Sequence, residues 1–596
     1  MDERAAHGPD GPDSASRAAR VHVPDGFLGR SRPAPDLALA MDGGEKRAVG
    51  LARERLSIVA LCFIFVFSIL ALRLVDVAAF GEPPVLTGTR PNQATRPVRA
   101  EILDRNGRLL ATNLETVSVA VRKSQVLDEE RLIRLAAQEL EGVSEEQVRR
   151  KFASASNYFW LKRKITPREH QALFAHGLVG LEFQPEIRRA YPHGPLVAHV
   201  IGFSDVDNHG LAGLERTLDD RLVNNPDEPV SITIDLRIQN ALMRELAQAV
   251  VEFRAEAAAG IVMHIPTGEV LGLVSLPTYN PEDPTKAPSA ARRNRAVGDR
   301  YEMGSTFKAF TAAMALDSGR VHLSTIYDAT NPIRIGRFTI RDFHAKRRPL
   351  TVPEVVMYSS NIGTAKMALD ISSETHRSFL RRLGLMRESP IELSESARPL
   401  TPPQWGEVER MTVAFGHGIA VTPIHVATAI GAVVNGGVMV PATLLPRDKA
   451  NPIVSERVIS EETSAVMRGL LRLVVEHGTG RKADVPGMLV MGKTGTAEKS
   501  VAGGYARSAK ITSFAGAFPA HDPQYTLVVL LDDPKGNRAT HGFSTSGWNA
   551  APTAGKVIRR IAPLLGVRPV DQGVPGVEEV RALSTLVGLK LAGQVE

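Results

Sequence analysis

The sequence predicts an α+β protein: a five-stranded antiparallel sheet with flanking helices, standing on an extended mixed α/β pedestal behind one N-terminal transmembrane helix. Three observations carry this expectation. Residues 56–72 (LSIVALCFIFVFSILAL) form one uncharged, largely apolar run between Arg55 and Arg73. Two strand patterns around an Ile-Pro-Thr-Gly turn at 265–268 are answered by three more late in the chain, with mainly helical sequence between the two groups. The stretch between the apolar run and the first hairpin mixes short strand and helix signals, and no long repeat recurs anywhere.

The membrane run comes first in chain order. It holds 15 apolar residues among 17, the short end of a bilayer span, and Arg73 extends it by snorkelling. Lys46, Arg47, Arg53 and Arg55 precede it closely, whereas the fifteen residues after it contain only Arg73, so the N-terminus is expected in the cytoplasm and the rest of the chain outside it. Val77-Ala78-Ala79 resembles a processing site, but a run this long with 55 residues ahead of it is unlike a cleaved signal peptide. Residues 1–50 combine five prolines, seven glycines and mixed charges with few apolar clusters, a composition that does not order itself. The expected order is a disordered cytoplasmic tail (1–50) followed by an anchor (51–79). Met411 to Pro446 also lack formal charge. There Thr422-Pro423 reads as a helix start and Asn435-Gly436-Gly437 as a stop, leaving a helix of about a dozen residues suited to a buried core.

The pedestal is expected over residues 80–228, with a strand at Val117–Val121 and a helix at Glu129–Leu140. The catalytic module is expected over 229–566. It begins with a helix running from the Ile232–Asp235 segment to Val251, then strands at 260–264 and 269–275. The late strands are 489–496, 511–518 and 525–531. A C-terminal extension (567–596) is Pro/Gly-punctuated, and Val577–Leu591 carries a short amphipathic pattern.

Composition narrows the chemistry. With 596 residues, 43% apolar and 23% charged, the chain can bury a large core and is neither collagen-like nor disordered in bulk. Its one cysteine, Cys62, lies in the apolar run, so neither an intramolecular disulfide nor a cysteine-based zinc cluster can form. The net charge of +7 is spread without a polybasic block, which argues against nucleic acid as a partner.

Three motifs fall in order: Ser305-Thr306-Phe307-Lys308, Ser359-Ser360-Asn361 and Lys493-Thr494-Gly495-Thr496. The first two are common by chance; a string such as the third is expected only about 0.01 to 0.02 times in a chain this long. Gly304 precedes Ser305 and a helical pattern follows, so Ser305 should open a helix with Lys308 one turn on, where serine and lysine can touch. A serine hydroxyl becomes a nucleophile when a base takes its proton, and a lysine serves as that base only if its pKa is depressed. Burial and a second cation, Lys493, would depress Lys308. The strand carrying Lys493 to Thr496 would line the other wall of a cleft, with Gly495 allowing close backbone approach and the Thr496 N–H facing an oxyanion. Ser359 and Asn361 would complete the rim. Taken singly, Ser305 could be a helix cap, Lys493 a strand-edge charge and Asn361 a turn residue; their co-occurrence in order favours a site.

With these residues the chain resembles the class B penicillin-binding proteins, membrane-anchored peptidoglycan transpeptidases whose active-site set is S-x-x-K, S-x-N and K-T-G. Arg96 to Asn113, Arg189 to Gly194 and Gly210 to Glu215 are similar to motifs of the family's non-catalytic, dimerisation-type module. Asn294-Arg295-Ala296, Phe415-Gly416-His417-Gly418 and Gly547-Trp548-Asn549-Ala550-Ala551-Pro552 are similar to the FtsI-type division enzymes. Ala100 and Met303 depart from the family's usual glycine and proline.

The resemblance implies the penicillin-binding transpeptidase fold and a serine acyl-enzyme cycle at the D-Ala–D-Ala end of peptidoglycan stem peptides, with catalytic residues Ser305, Lys308, Ser359, Asn361 and Lys493. Thr494, Gly495 and Thr496 would bind substrate. It implies β-lactams as acylating ligands, no metal or organic cofactor, and an FtsW-type glycan polymerase and other divisome proteins as partners. The place implied is the bacterial inner membrane at the septum, with the catalytic domain periplasmic. Alternatives on the same fold are an elongation-specific transpeptidase or a D,D-carboxypeptidase. Gly487 to Thr494 also satisfies the P-loop pattern, but four apolar residues fill it and no helix pattern follows directly. A non-catalytic scaffold is the remaining rival.

Overall fold

The computed structural model describes residues 58–72 and 98–570, apart from positions 155, 337, 450, 502 and 503. The expected cytoplasmic tail, the ends of the expected anchor and the Val577–Leu591 pattern lie outside the described residues. Residues 58–72 form a helix with its apolar side chains exposed. No helix among the described residues is long and apolar enough to cross a membrane.

The five expected catalytic strands form one antiparallel sheet. The edge strand Met491–Val501 pairs with Gly504–Phe518, which pairs with Tyr525–Asp532, then Ala257–His264, and last Val270–Leu276. The inner strands are apolar on both faces because both are covered. Ala259, Ile261, Met263, Val528 and Leu530 belong to one core, which includes the helix Pro423–Val434. Their alternating neighbours Ala258, Val262, Leu527, Val529 and Leu531 belong to a second core with the helices Leu236–Phe253 and Ala550–Ile561. The uncharged segment that could have been mistaken for a second span is this Pro423–Val434 helix, every residue of it buried.

Two expectations about element ends need correction. The edge strand does not stop at Thr496, and its partner begins at Gly504 rather than Ile511. The extra residues form a largely exposed two-stranded ribbon that carries no inward-facing apolar alternation, which is the signal a sequence reading depends on. The helix after Gly304 opens as a 3-10 turn, Gly304–Thr306, before the α-helix Phe307–Asp317. Strand, not helix, follows Gly487 to Thr494, so the P-loop reading fails on geometry.

In the pedestal, the long strand Leu109–Arg122 pairs with Leu181–Ala190 along its length and with Tyr158–Ile165 near its end. Ile102–Leu103 pairs with its beginning and, in parallel, with Val230–Ser231, the segment that leads into the helix Leu236–Phe253. Asp104 accepts from the Leu236 N–H at 3.2 Å, tying the turn after Ile102–Leu103 to the start of that helix. Next to the sheet, reached by Arg189 of the strand Leu181–Ala190, is a largely buried ion cluster. Glu215 is held between Arg99 (2.8 Å) and Arg189 (2.7 Å), and Arg99 also reaches Asp219 (2.5 Å) and the carbonyl of Asn208 (2.7 Å). Ala100, beside it, is fully buried.

Candidate active site

The nucleophile loop is fixed by three close backbone approaches. Gly304 sits at φ +52°, where a Cβ would stand 2.6 Å from the carbonyl oxygen of Thr496. A Cβ on Gly495 would stand 2.3 Å from the carbonyl of Met303, and one on Gly416 would stand 2.3 Å from the carbonyl of Gly304. Contacts this close exclude any larger residue. They lock Ser305 between the edge strand and the Phe415–Gly418 segment. The carbonyl of Met303, where the family more often has proline, is one of these contacts.

Ser305, Ser359, Asn361, Thr494 and Thr496 line one cleft of about 810 Å³. Lys308 and Lys493 lie behind its wall, 1% and 0% exposed. Both ammonium groups donate to the Ser359 hydroxyl, Lys308 at 3.1 Å and Lys493 at 2.9 Å. Lys308 donates also to the Ser359 carbonyl, and Lys493 to the Thr494 carbonyl at 3.2 Å. Ser359 adopts φ +60°, rare for a residue with a side chain, and the turn is held from behind by Asp342. That carboxylate accepts from Ser360 Oγ (2.7 Å) and the Ile362 N–H (2.9 Å).

Burial and the Lys493 charge push Lys308 well below the ordinary ammonium range, with Asp342 opposing. Burial brings Lys493 down to about 7. An amine there exists in part as the free base at neutral pH, the condition a lysine base requires.

The expected direct contact between Ser305 and Lys308 is not formed: among the described residues the Ser305 hydroxyl makes no hydrogen bond, and Lys308 turns to Ser359 instead. The 3-10 turn places the serine at the cleft surface while Lys308, the second residue of the α-helix, points into the core. Asn361 contacts neither lysine. Its amide nitrogen donates to the Arg341 carbonyl at 2.7 Å. Thr494 Oγ1 pairs with Thr479 Oγ1 at 2.6 Å, and Thr496 Oγ1 accepts from the Ser546 N–H at 3.1 Å.

Glu302, Asp342, Tyr358, Thr479 and Tyr505 also belong to the site's surroundings without having been singled out in the sequence. Glycines flanking Thr479 and the position of Glu302 three residues before Ser305 were the available signals. Among the described residues no group of three or more His, Cys, Asp or Glu side chains could hold a metal ion.

Residues 258–557 match the penicillin-binding protein transpeptidase domain, and residues 94–226 match the penicillin-binding protein dimerisation domain. A Caulobacter vibrioides protein named "Probable peptidoglycan D,D-transpeptidase FtsI" is 41% identical over 488 residues, covering 80% of this chain and 83% of that protein. The Escherichia coli K12 peptidoglycan D,D-transpeptidase FtsI is 30% identical, covering 69% of this chain and 73% of that protein. The crystal structure of Mycobacterium tuberculosis penicillin-binding protein 3 with aztreonam shares the fold, with a TM-score of 0.63 at 24% identity, over 80% of this chain and 98% of that one.

Proposed function

The chain belongs to the class B penicillin-binding proteins, in their FtsI-type branch, and from that premise we propose that it cross-links peptidoglycan stem peptides through an acyl-enzyme at Ser305 during septal wall synthesis. The observation that carries this reading is the convergence of two buried lysines on one serine hydroxyl in the wall of the cleft that holds Ser305.

Neutral Lys308, one turn along from Ser305, takes the serine proton as Oγ attacks the carbonyl carbon of the D-Ala–D-Ala bond, the contact absent from the free site closing when substrate is bound. Ser359, bonded to both lysines, passes that proton to the departing D-alanine nitrogen. Backbone N–H groups of Ser305 and Thr496 receive the oxyanion, and Gly304 and Gly495 allow the approach. Thr494 and Thr496, which line the cleft, hold the terminal carboxylate, with the Lys493 charge behind them. The Thr496 oxygen already accepts from Ser546, so its own proton is left to donate. The Asn361 nitrogen gives one of its two protons to the Arg341 carbonyl, which fixes the amide so that its oxygen can accept from a substrate N–H. An amine of a second stem peptide then takes the acyl group. β-Lactams acylate the same hydroxyl.

The uncharged run 56–72 with its basic N-terminal flank supports a single-pass inner-membrane anchor, N-terminus cytoplasmic and catalytic module periplasmic. An FtsW-type polymerase and other divisome proteins are the partners this topology suits.

The test is fluorescent penicillin on the full chain in detergent with mapping of the adduct, followed by turnover of a stem peptide ending in D-Ala–D-Ala. Labelling at Ser305, lost in Ser305→Ala, and cross-linked dimer are expected. A folded chain without a Ser305 adduct would overturn the acyl-enzyme, and free tetrapeptide as the only product would make the protein a carboxypeptidase. A lateral-wall distribution of the tagged protein in growing cells would oppose the septal role.

A further inference from the structure

Transpeptidation needs its second substrate as a free amine, yet an alkyl amine in water near neutral pH is almost entirely the ammonium. Something must remove that proton before the acyl-enzyme is attacked. Lys308 and Lys493, behind the cleft wall, both bond Ser359 in it. A second ionisable group in the cleft is not part of that set. His417 Nδ1 lies 3.1 Å from Glu302 Oε2, with the glutamate side chain 11% exposed and the imidazole 46%. The other oxygen of Glu302 accepts from the Tyr505 hydroxyl at 2.8 Å and from the Gly418 N–H at 3.0 Å. The imidazole packs against the Tyr505 ring (5.0 Å between centroids) and the Phe415 ring (6.5 Å). Its Nε2 makes no hydrogen bond among the described residues.

The position is also fixed relative to the nucleophile. Gly416 and Gly304 are in backbone contact, and His417 and Ser305 are the residues that follow them. All of Glu302, Ser305, His417 and Tyr505 line the same cleft. Two acidic residues line the cleft, Glu302 and Glu498, and both attend His417; of the lining lysines, Lys482 lies over the Trp548 ring, Lys346 lies over the Tyr358 ring, and Lys510, cross-strand from Glu498, bonds Ser544. The carboxylates that act on His417 favour a cation beside it.

We propose that His417, oriented by Glu302, removes the proton from the acceptor ammonium beside that carboxylate; this rests on the transpeptidase reading above. The acceptor R–NH3+ gives one proton to His417 Nε2, which releases it to solvent. The resulting amine attacks the acyl carbon, and the bond to Ser305 Oγ breaks. The proton that the attacking nitrogen sheds passes through Lys308 to Oγ. Amide and free serine are the products, and no other reactant is consumed. Hydrogen bonding to Glu302 raises His417 above the ordinary histidine range, burial opposing and Glu498 assisting, which makes it a stronger proton acceptor. Tyr505 is the remaining titratable group against the ring.

The test separates the two half-reactions in the full chain. Acylation is followed with fluorescent penicillin, and aminolysis with a thioester donor and D-alanine as the amine, the amide being counted against hydrolysed acid by mass spectrometry. His417→Gln is expected to lower aminolysis about 100-fold, within the usual range for general bases, with acylation changed no more than about threefold. The aminolysis defect should shrink as pH rises and free amine becomes plentiful. Glu302→Gln should move the rising limb of the aminolysis–pH profile to lower pH, because the carboxylate that raises His417 is gone. Unchanged aminolysis in His417→Gln, or aminolysis and acylation falling together, would overturn the role of His417. A wild-type chain that penicillin fails to acylate would instead overturn the transpeptidase reading beneath it.

Discussion

Two buried charge clusters of the protein, one in each module, are treated in opposite ways. In the pedestal, Arg99, Arg189, Glu215 and Asp219 sum to zero, and each guanidinium is spent on carboxylates and carbonyls. In the catalytic module, Lys308 and Lys493 are two like charges around one neutral hydroxyl, with Asp342 as the acid acting on Lys308. A paired, fully bonded charge keeps its proton and contributes structure. Two buried cations without a carboxylate of their own release a proton near neutral pH and so contribute chemistry. Stability in one region and reactivity in the other follow from the same desolvation, with different neighbours.

The sharpest way to break this contrast is to remove one charge from each cluster. Lys308→Met takes away the base, and penicillin acylation of Ser305 should fall by about 10³-fold or more, roughly 4 kcal/mol of barrier. Its melting temperature should stay level or rise, since an amine poorly paired in the core is replaced by an apolar side chain of similar length. Stopped-flow labelling and a thermal melt read both. A mutant that both melts early and still acylates would reverse the assignment of roles.

Arg99→Met should do the opposite. Glu215 would keep Arg189 but lose half its compensation while fully buried, a loss on the order of 3 kcal/mol or more, seen as a melting temperature lower by several degrees. Acylation by the protein that remains folded should be unaffected, because Arg99 lies in the pedestal. Wild-type thermal stability in this variant would show that the ion cluster does not hold the pedestal together.

The contrast also marks what the sequence made legible. The catalytic strands Ala257–His264, Val270–Leu276 and Tyr525–Asp532 could be read because their apolar runs are nearly continuous and bounded by turn residues. The helix Pro423–Val434 could be read from its Thr-Pro start and Asn-Gly-Gly stop. The exposed end of the Met491–Val501 hairpin could not, because its residues repeat no buried pattern. At the site, local spacing placed Lys308 one turn from Ser305, but the pairing that formed is between Lys308 and Ser359, 51 positions away. Contacts of that kind are set by tertiary packing. For the same reason the role of Asp342 was invisible, and the closeness of Glu302 to Ser305 in sequence did not reveal its partner His417: each acts on residues that only the fold brings to it.

The finest test of the comparison is a pH dependence. In the unfolded chain Lys493 titrates near its ordinary value of 10.5, and in the folded protein near 7. Between those two values the unfolded chain binds more protons, so stability must rise with pH across that window, by up to about 1.4 kcal/mol per pH unit for one proton. Below about pH 7 both states are protonated at this site, its contribution is level, and the cost of burying the charge is fully present. Lys308 is displaced in the same direction and adds to the slope. Lys493→Met should therefore flatten the rise in melting temperature between about pH 7 and 10 by part of its height, without abolishing it. The same change removes a like charge from beside Lys308, so the rising limb of the acylation–pH profile should move to higher pH. Arg99→Met, whose cluster is neutral by pairing, should leave both profiles in place. If Lys493→Met kept the wild-type slope of stability against pH, the lysine would be charged in the folded state throughout, and the distinction between the two buried clusters would be lost.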